Sequence, residues 1–483
     1  MTGLRQATGR AFAAAVAALL GLAACVQVED GAPPALGGEV VPAAWAAPAG
    51  AGPAVWPRPG WWREFGSQEL DGLIIAARAA NPDLAAAAAR VAQAQARARI
   101  AGAPLLPAVD ASGAADRTGR LSGARPATSL GLGIGASYEV DFWGRNAAEL
   151  NAARASLAAS SFDRATVALT ITAATASNYF LVLSLRDRIR IARLNLANAE
   201  RVLALVEARA RSGAVSQLDL ARQRAQVEGQ RAGIPPLETQ EFGARVALAL
   251  VLGRAPGALA IAARDLGALK APAVSPGMPT ALLARRPDIA RAEADLAAAS
   301  ADITVARAAF YPDVRLTGSL DSRANAVSQL FQSTNIAYAV GASVLQAIFD
   351  GGARQGAVDL AEERKRELVY AYRSAVLAAI ADVESALMDL NSLAREEVAR
   401  RREAAAARTA FDLAETRYRS GAEDLLTVLD AQRTLYQALD RVAQVRFDRL
   451  SALVTLFRAL GGGWQALAET DSVAPRPPVD NHG

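Results

Sequence analysis

Two long stretches without glycine or proline constrain the fold of this chain more than any other feature. The first runs from Arg145 to Ser212 and the second from Ala357 to Ser420. At a rise of about 1.5 Å per residue, a helix over the first stretch would be roughly 100 Å long, far beyond the size of a globular domain. The sequence therefore predicts extended helices, and its abundant alanine favours them.

The first long stretch also carries the seam of a coiled coil. Apolar residues follow a 3,4,3,4 spacing at Ile189, Ala192, Leu196, Ala199, Leu203, Val206 and Ala210. A repeat of about 3.5 residues is typical of left-handed coiled coils. The turn at "RSGAVSQLD" then predicts a second helix that returns from about Gln217 to Gly253.

The second half of the chain repeats the first. Similar segments begin, in the same order, at residues 81 and 286, 107 and 312, 134 and 340, and 211 and 419. Each half is therefore predicted to hold a helix, two strands, a very long helix and a shorter helix. We expect the first repeat over 61–255, a Pro-rich linker over 256–279, the second repeat over 280–464 with its long helix over 353–420, and a tail over 465–483.

Four segments alternate between apolar and polar residues and predict strands, near 107–117, 129–142, 312–323 and 335–349. In "SLGLGIGASYEVDF", which starts at Ser129, the even-numbered residues are apolar or aromatic. Each segment has about the length that a tilted strand needs to cross a bilayer. We expect the apolar side to face lipid and the other side to face a water-filled lumen, namely Gly131, Gly133, Gly135, Ser137, Glu139 and Asp141.

Four strands leave a sheet with two open edges. In hydrocarbon every unpaired backbone group costs several kcal/mol, and the smallest membrane barrels have about eight strands. One copy of the chain cannot close such a barrel, whereas three copies would supply twelve strands. The alternative is a water-soluble sandwich whose apolar face packs on a second sheet.

The N-terminus has the pattern of a bacterial lipoprotein signal. Arg5 and Arg10 precede an apolar run that is too short to span a bilayer, and the tetrad "LAAC" ends at Cys25, the single cysteine. The tetrad resembles the lipobox, which implies a signal peptide over 1–24 and a lipid on Cys25. The mature chain would begin with a Pro/Ala/Gly-rich segment over 25–60, and no other segment is expected to form a transmembrane helix.

Several segments resemble the TolC-like outer-membrane efflux proteins, in the NodT-type lipoprotein branch that serves RND pumps. They are "WWREFGSQELDGLIIAARAANPDLAAAAARV", "RRPDIARAEADLAAASADITVARAAFYPDVRL", "DFWGR", "YRSGAEDLLTVLDAQRTLY" and "LGGGW". The resemblance implies a mainly α fold with a transmembrane β-barrel, in which a homotrimer forms a 12-stranded barrel in the outer membrane of a Gram-negative bacterium. A helical tunnel would continue the barrel across the periplasm. It also implies a passive exit duct for drugs or other small toxic compounds, docked to a periplasmic membrane-fusion adaptor and an inner-membrane RND pump.

The two turns between long and returning helices are candidates for the far tip of this tunnel. By resemblance they would contact the adaptor, through Arg211, Gly213, Val215, Ser216, Arg419 and Gly421. Acidic residues and an arginine nearby, Glu423, Asp424, Asp430 and Arg433, are candidates for a periplasmic gate. The alternative is that the glycines only cap helices and that the acids only favour a helix N-terminus.

Four aromatic residues, Phe142, Trp143, Phe310 and Tyr311, flank the predicted strands. They are candidates for the aromatic girdle at the membrane interface. The alternative is that they only pack the corner between strand and helix.

Composition argues against enzymes and nucleic-acid binding. The single histidine, His482, lies in the Pro-rich tail, so there is no His/Cys metal site and no Ser-His or Cys-His nucleophile. The net charge of +4 comes without a basic stripe interleaved with aromatics. We therefore expect no catalytic residue, no cofactor apart from the lipid, and no nucleic acid.

The sequence leaves two alternative functions open. The first is a TolC-like duct for protein secretion. The second is a periplasmic coiled-coil adaptor or structural lipoprotein, which would have helical hairpins without membrane-length strands.

Overall fold

The computed structural model describes residue 36 and residues 40–48, 54–119 and 126–465. Its elements follow the predicted order. The first half contains α1 (Gln68–Ala80), α2 (Pro82–Gly102), β1 (Ala108–Thr118), β2 (Ala127–Glu139), α3 (Arg145–Arg211), α4 (Gln217–Ala232) and α5 (Ile234–Val251). The second half contains α6 (Pro287–Ala308), β3 (Asp313–Ala324), β4 (Ile336–Leu345), α7 (Ala353–Arg419) and α8 (Leu425–Ala459).

Both long helices are confirmed, and each is 67 residues long. Their C-terminal ends coincide with the turns predicted from sequence. Each turn contains a glycine with positive φ, 76° at Gly213 and 79° at Gly421, a backbone conformation that favours glycine. The repeat is therefore a repeat of structure as well as of sequence.

The chain forms two compact units. The sheet unit comprises Ala89–Ser161 and Arg291–Arg373, and the helical unit comprises Leu36–Ala88, Phe162–Ala290 and the chain from Ser374 onward. Each unit draws segments from both halves of the sequence, so the two repeats are intertwined.

The sheet unit holds a single antiparallel sheet with the strand order β1-β2-β3-β4. The central pair, β2 and β3, joins the two repeats, and the register places Ile134 opposite Leu320. Within the described residues, β1 and β4 each pair with one strand only.

The core of the helical unit is built on aromatic side chains from a short helical turn, Trp61–Phe65. Trp61 stacks on Phe457 with ring centroids 4.7 Å apart, and Phe65 lies 5.0 Å from the ring of Phe180. These rings bring together α3, α8 and the segment before α1. Much of the energy of such a core comes from burying large aromatic surfaces.

A second core lies beside the turns, where α3, α4, α7 and α8 meet. Val206 and Val428 are fully buried there, and Phe411 is nearly so. Four residues of the predicted seam are buried, namely Ile189, Ala192, Ala199 and Val206, and the other three, Leu196, Leu203 and Ala210, are half-buried.

The described N-terminal residues bind the surface of the helical unit. The Glu384 carboxylate accepts hydrogen bonds from the backbone N–H groups of Ala46 and Ala47, at 2.7 and 2.8 Å. The Trp45 indole N–H donates to the Gly277 carbonyl at 2.6 Å. This part of the 25–60 segment is therefore ordered against α7.

Three sequence expectations need correction. The first return helix is two helices, α4 and α5, that meet at Gly233, because Pro235 and Pro236 follow and cannot donate backbone hydrogen bonds. Two strands end earlier than predicted, the second at Glu139 rather than Phe142 and the fourth at Leu345 rather than Phe349. The helix α3 is apolar enough over part of its length to cross a membrane, contrary to expectation, but half of that window is buried inside the protein.

Candidate functional site

The sheet has one apolar and exposed side. Strand pairing aligns Ala111, Ile134, Leu320 and Tyr338 in one row across all four strands. Ile134, Leu320 and Tyr338 are 56%, 50% and 83% exposed. Among the described residues most of this side is uncovered, and large exposed apolar patches mark interaction or membrane surfaces.

The opposite side of the sheet is polar and rich in glycine. Gly133 lies opposite Ser112 and Asp321, and a Cβ at Gly133 would come within 2.4 Å of the Asp321 Oδ1 atom. The Ser319 hydroxyl donates to the other carboxylate oxygen of Asp321 at 2.7 Å. Glycine at position 133 therefore makes room for a carboxylate over the middle of the sheet. The predicted two-sidedness of the strand is confirmed over Ser129–Glu139.

Asp141 does not take part in this polar side. Its carboxylate oxygens accept hydrogen bonds from the backbone N–H groups of Asn146 and Ala147, at 3.1 and 2.8 Å. It thus caps the start of α3, because the first N–H groups of a helix lack partners within the helix. The prediction that Asp141 belongs to the strand is therefore wrong.

An apolar and aromatic band lies at the end of the sheet where the strands join helices. Trp143 stacks on Tyr311 with ring centroids 4.7 Å apart and donates its indole N–H to the Pro312 carbonyl at 2.8 Å. Phe142 and Phe310 are exposed beside them. The four aromatics predicted from sequence thus lie together at one end of the sheet, and Trp143 and Tyr311 also pack the corner between strand and helix.

Sequence reasoning missed three further members of this band. Leu106, Ile348 and Phe349 are 70%, 87% and 89% exposed, and all lie just outside the ends of β1 or β4. Antiparallel pairing brings the start of β1 and the end of β4 to the same end of the sheet as the four aromatics. Leu106 lies immediately before the first predicted strand, whereas Ile348 and Phe349 had been assigned to the fourth strand itself.

The two turns are brought together by contacts that the sequence did not indicate. The Arg209 guanidinium lies 4.6 Å from the centroid of the Tyr418 ring and donates to the Arg419 carbonyl at 3.0 Å. Val215 packs against the same core, and Arg211 and Arg419 are the last residues of their helices. The predicted tip residues therefore form one end of the helical unit.

Helix capping accounts for several of the predicted tip and gate residues. Ser216 forms a capping box with Asp219, in which the Ser216 hydroxyl accepts from the Asp219 N–H at 3.1 Å. Asp424 caps α8 and accepts from the Thr427 N–H at 2.8 Å. Hydrogen bonds from the Thr427 backbone and hydroxyl hold the pKa of Asp424 below its ordinary value.

The candidate gate charges pair locally. Asp430 and Arg433 form an ion pair within one turn of α8 at 2.6 Å, with both side chains more than 60% exposed. Glu423 pairs with Arg417 across the turn at 3.2 Å. Within the chain, the Asp430–Arg433 pair does not connect two helices, so any closure it provides must come from contacts with another copy.

The lipid-attachment prediction lies outside the described residues, because these do not include Cys25. Within the described residues, no group of three or more His, Cys, Asp or Glu side chains is arranged to hold a metal ion.

The chain is similar to several known channels. It matches the family described as outer membrane efflux protein over residues 73–254 and 278–462. It is 46% identical over 417 residues to the pyoverdine export outer membrane protein OpmQ of Pseudomonas aeruginosa, covering 84% of this chain and 88% of OpmQ. The OpmQ of Pseudomonas putida is 45% identical over 449 residues, covering 91% and 95%. Among solved structures, the open state of the Neisseria gonorrhoeae MtrE outer membrane channel matches with a TM-score of 0.81 at 29% identity, covering 89% of this chain and 98% of MtrE.

Proposed function

The chain belongs to the outer membrane efflux protein family, and on that premise we propose that three copies of its sheet close one 12-stranded barrel through the outer membrane. The protein is an outer-membrane efflux channel, as its relatives are. The helical unit would continue the barrel as a tunnel in the periplasm. This family assignment excludes the alternative of a periplasmic adaptor or structural lipoprotein.

One observation carries the shared barrel: the sheet is apolar on one side, and its two edges are unpaired among the residues that the structure describes. An exposed apolar side is stable in lipid, but the outward N–H and C=O groups of β1 and β4 are not, since each unpaired group there costs several kcal/mol. Pairing β4 of one copy with β1 of the next removes both edges. The polar side, with Asp321 over Gly133, would then line a water-filled lumen.

The channel would act as a passive duct. A periplasmic adaptor would bind the end of the helical unit that contains Gly213 and Gly421, and an inner-membrane RND pump would supply the energy. The glycine turns support this assignment, because they present short, exposed connections at one end of four packed helices.

We further propose that the cargo is a pyoverdine-type compound. The support is that the two relatives at 46% and 45% identity, from two species, both bear the name of pyoverdine export proteins. Expression of this chain in a Pseudomonas strain that lacks OpmQ tests the idea. Restored pyoverdine in the medium is expected, and accumulation in the periplasm at normal channel levels would contradict it. The protein-secretion alternative has no comparable support.

Cysteine cross-linking tests the shared barrel. A chain with Val109→Cys on β1 and Val340→Cys on β4 is oxidised in outer membranes and run on a denaturing gel. Neighbouring positions on the same sides of both strands are included, because they cover the possible registers between copies. The matched control is Ile134→Cys with Leu320→Cys, two residues that face each other within one chain.

The shared barrel predicts a ladder of covalent dimers and trimers for at least one edge pair, and none for the control pair. If every edge pair stays monomeric while the control pair forms its internal disulfide, the sheet is not shared between copies.

A further inference from the structure

The loop between β3 and β4, residues 325–335, is compact and carries no charged residue. It contains two short helical turns, Val327–Gln329 and Ser333–Asn335. The Asn335 side-chain amide donates to the Gln329 carbonyl at 2.8 Å and ties the two turns together. The loop is thus folded on itself.

This loop leans over the apolar side of the sheet. The Ser322 hydroxyl, which donates to the Leu330 carbonyl, belongs to the same side as Leu132 and Ile336. Ala324 and Leu330 are both buried, although most of the apolar side is exposed. The loop therefore covers this corner of the apolar side and does not lie over the polar side.

Two large apolar side chains of the loop nevertheless remain exposed. Phe331 is 78% exposed and Val327 is 68% exposed. Leu330, which lies between them in the sequence, is buried. The hydrogen bonds from Ser322 and Asn335 to the loop carbonyls therefore fix a conformation in which Phe331 and Val327 are exposed. A loop that lay in water would gain by burying them.

The loop and the aromatic band lie at opposite ends of the same four strands. The band joins the strands to the helices, whereas the loop joins β3 directly to β4. The strands between them are 10 to 13 residues long, enough for a tilted strand to cross the hydrocarbon core. Apolar and aromatic side chains at both ends of a membrane strand are typical of the two lipid–water boundaries.

We propose that the β3–β4 loop inserts Phe331 and Val327 into the outer boundary of the bilayer and so anchors the barrel at its far end. The inference rests on the proposed function, because it requires lipid against the apolar side of the sheet. A lipid surface fits better than the lumen, since the hydrogen bond from the Ser322 hydroxyl to the Leu330 carbonyl draws the loop to the apolar side. The loop also carries no charged side chain, so its insertion into lipid would not require a charge to lose its hydration.

Spin-label accessibility tests this assignment on the full chain in vesicles of phosphatidylcholine and phosphatidylglycerol. A nitroxide is attached to Phe331→Cys or, in a second variant, to Val327→Cys. Tyr338→Cys on the apolar side and Ser112→Cys on the polar side are the lipid and lumen references. The parent chain gives the background from Cys25, and collision with oxygen is compared with collision with a water-soluble nickel chelate.

The proposal predicts a ratio of oxygen to nickel collisions at 331 and 327 that is several-fold higher than at 112 and close to that at 338. A water-like ratio at 331 and 327 with a lipid-like ratio at 338 would overturn the loop proposal and leave the barrel intact. Water-like ratios at 338 as well would instead refute the membrane sheet itself.

A second experiment tests the hydrogen bond from the Ser322 hydroxyl to the Leu330 carbonyl, which we call the Ser322 tie. Ser322→Ala should lower the ratio at 331 several-fold, because the loop loses its hold on the apolar side. Ser319→Ala is the matched control, since that hydroxyl bonds Asp321 on the polar side, and it should leave the ratio unchanged. An unchanged ratio in Ser322→Ala would show that the tie does not position the loop.

Discussion

Replacing Arg286 by alanine should strongly destabilise the helical unit. The guanidinium side chain is only 10% exposed, and it forms two hydrogen bonds to the Asp288 carboxylate, at 2.9 and 2.6 Å. It also donates to Asp382 on α7 at 3.2 Å and to the carbonyl of Ala459 at the end of α8 at 3.1 Å. One side chain thus connects the start of α6, the middle of α7 and the end of α8.

The expected loss can be estimated from these contacts. Removing one partner of a buried ion pair typically costs about 3–5 kcal/mol, since the remaining charge stays buried without its partner. The Asp288 and Asp382 side chains are 35% and 43% exposed, so water can replace part of the interaction. We therefore expect a loss near the lower limit, about 3 kcal/mol, or roughly a hundredfold in the unfolding equilibrium constant.

Denaturant unfolding of the detergent-solubilised protein, followed by helical circular dichroism, measures this loss. The matched control is Arg285→Ala, which removes the same charge from the neighbouring residue. Arg285 lies over the Trp56 ring at 4.5 Å, a contact that contributes about 0.5–1 kcal/mol. Equal midpoints for the two variants would refute the reasoning.

Acidification provides a second test of the same site. Burial raises the pKa of Asp288, but the hydrogen bond and charge of Arg286 outweigh it and hold that pKa below its ordinary value. The stabilisation from this carboxylate is therefore present above its unfolded pKa of about 3.9 and lost as the pH falls through the lower folded value. Arg286→Ala removes the hydrogen bond and the charge that lower this pKa, so the difference in unfolding free energy between wild type and variant should decrease as the pH falls below about 4. A constant difference would contradict the assignment.

Three further outcomes are expected. Cys25→Ser should leave the channel in the outer membrane, because the proposed barrel would hold it there without a lipid; a soluble periplasmic product on membrane fractionation would count against the barrel. Asp430→Ala with Arg433→Ala should make a leakier channel with little change in stability, since an exposed pair within one helix contributes about 0.3–0.5 kcal/mol; unchanged conductance and unchanged vancomycin sensitivity would exclude this gate. Gly461→Ala should prevent accumulation of folded protein, because its Cβ would lie 1.9 Å from the Arg285 carbonyl oxygen and the residue has a φ of 83°. The control Gly229→Ala should accumulate normally on immunoblots, because no atom lies within 4 Å of the added Cβ, and equal levels of the two variants would contradict this packing.

The long elements of the fold were predictable from sequence. The first long helix was expected over 145–212 and spans Arg145–Arg211, and the second was expected over 353–420 and spans Ala353–Arg419. Glycine and proline limit helices directly, and a glycine with positive φ ends each of these two. Such local signals need no knowledge of the tertiary structure.

The remaining features depend on contacts that local patterns do not encode. Asp141 continues the apolar/polar alternation, yet it lies beyond the end of β2 and its carboxylate accepts hydrogen bonds from the first N–H groups of α3. The contact of Arg209 with Tyr418 joins residues from the two repeats, and no spacing within either repeat indicates it. Ile348 and Phe349 lie beyond the end of β4, where the alternation had assigned them to the strand itself.

The mass of the detergent-extracted protein, measured by light scattering with the micelle contribution removed, tests the central claim most directly. A barrel shared by three copies predicts about three times the mass of one chain. The full 483-residue chain has a mass of 50.1 kDa. A monomer that stays soluble when Cys25 is replaced by serine would contradict the account, because the one-sided sheet would then be stable without closing a barrel.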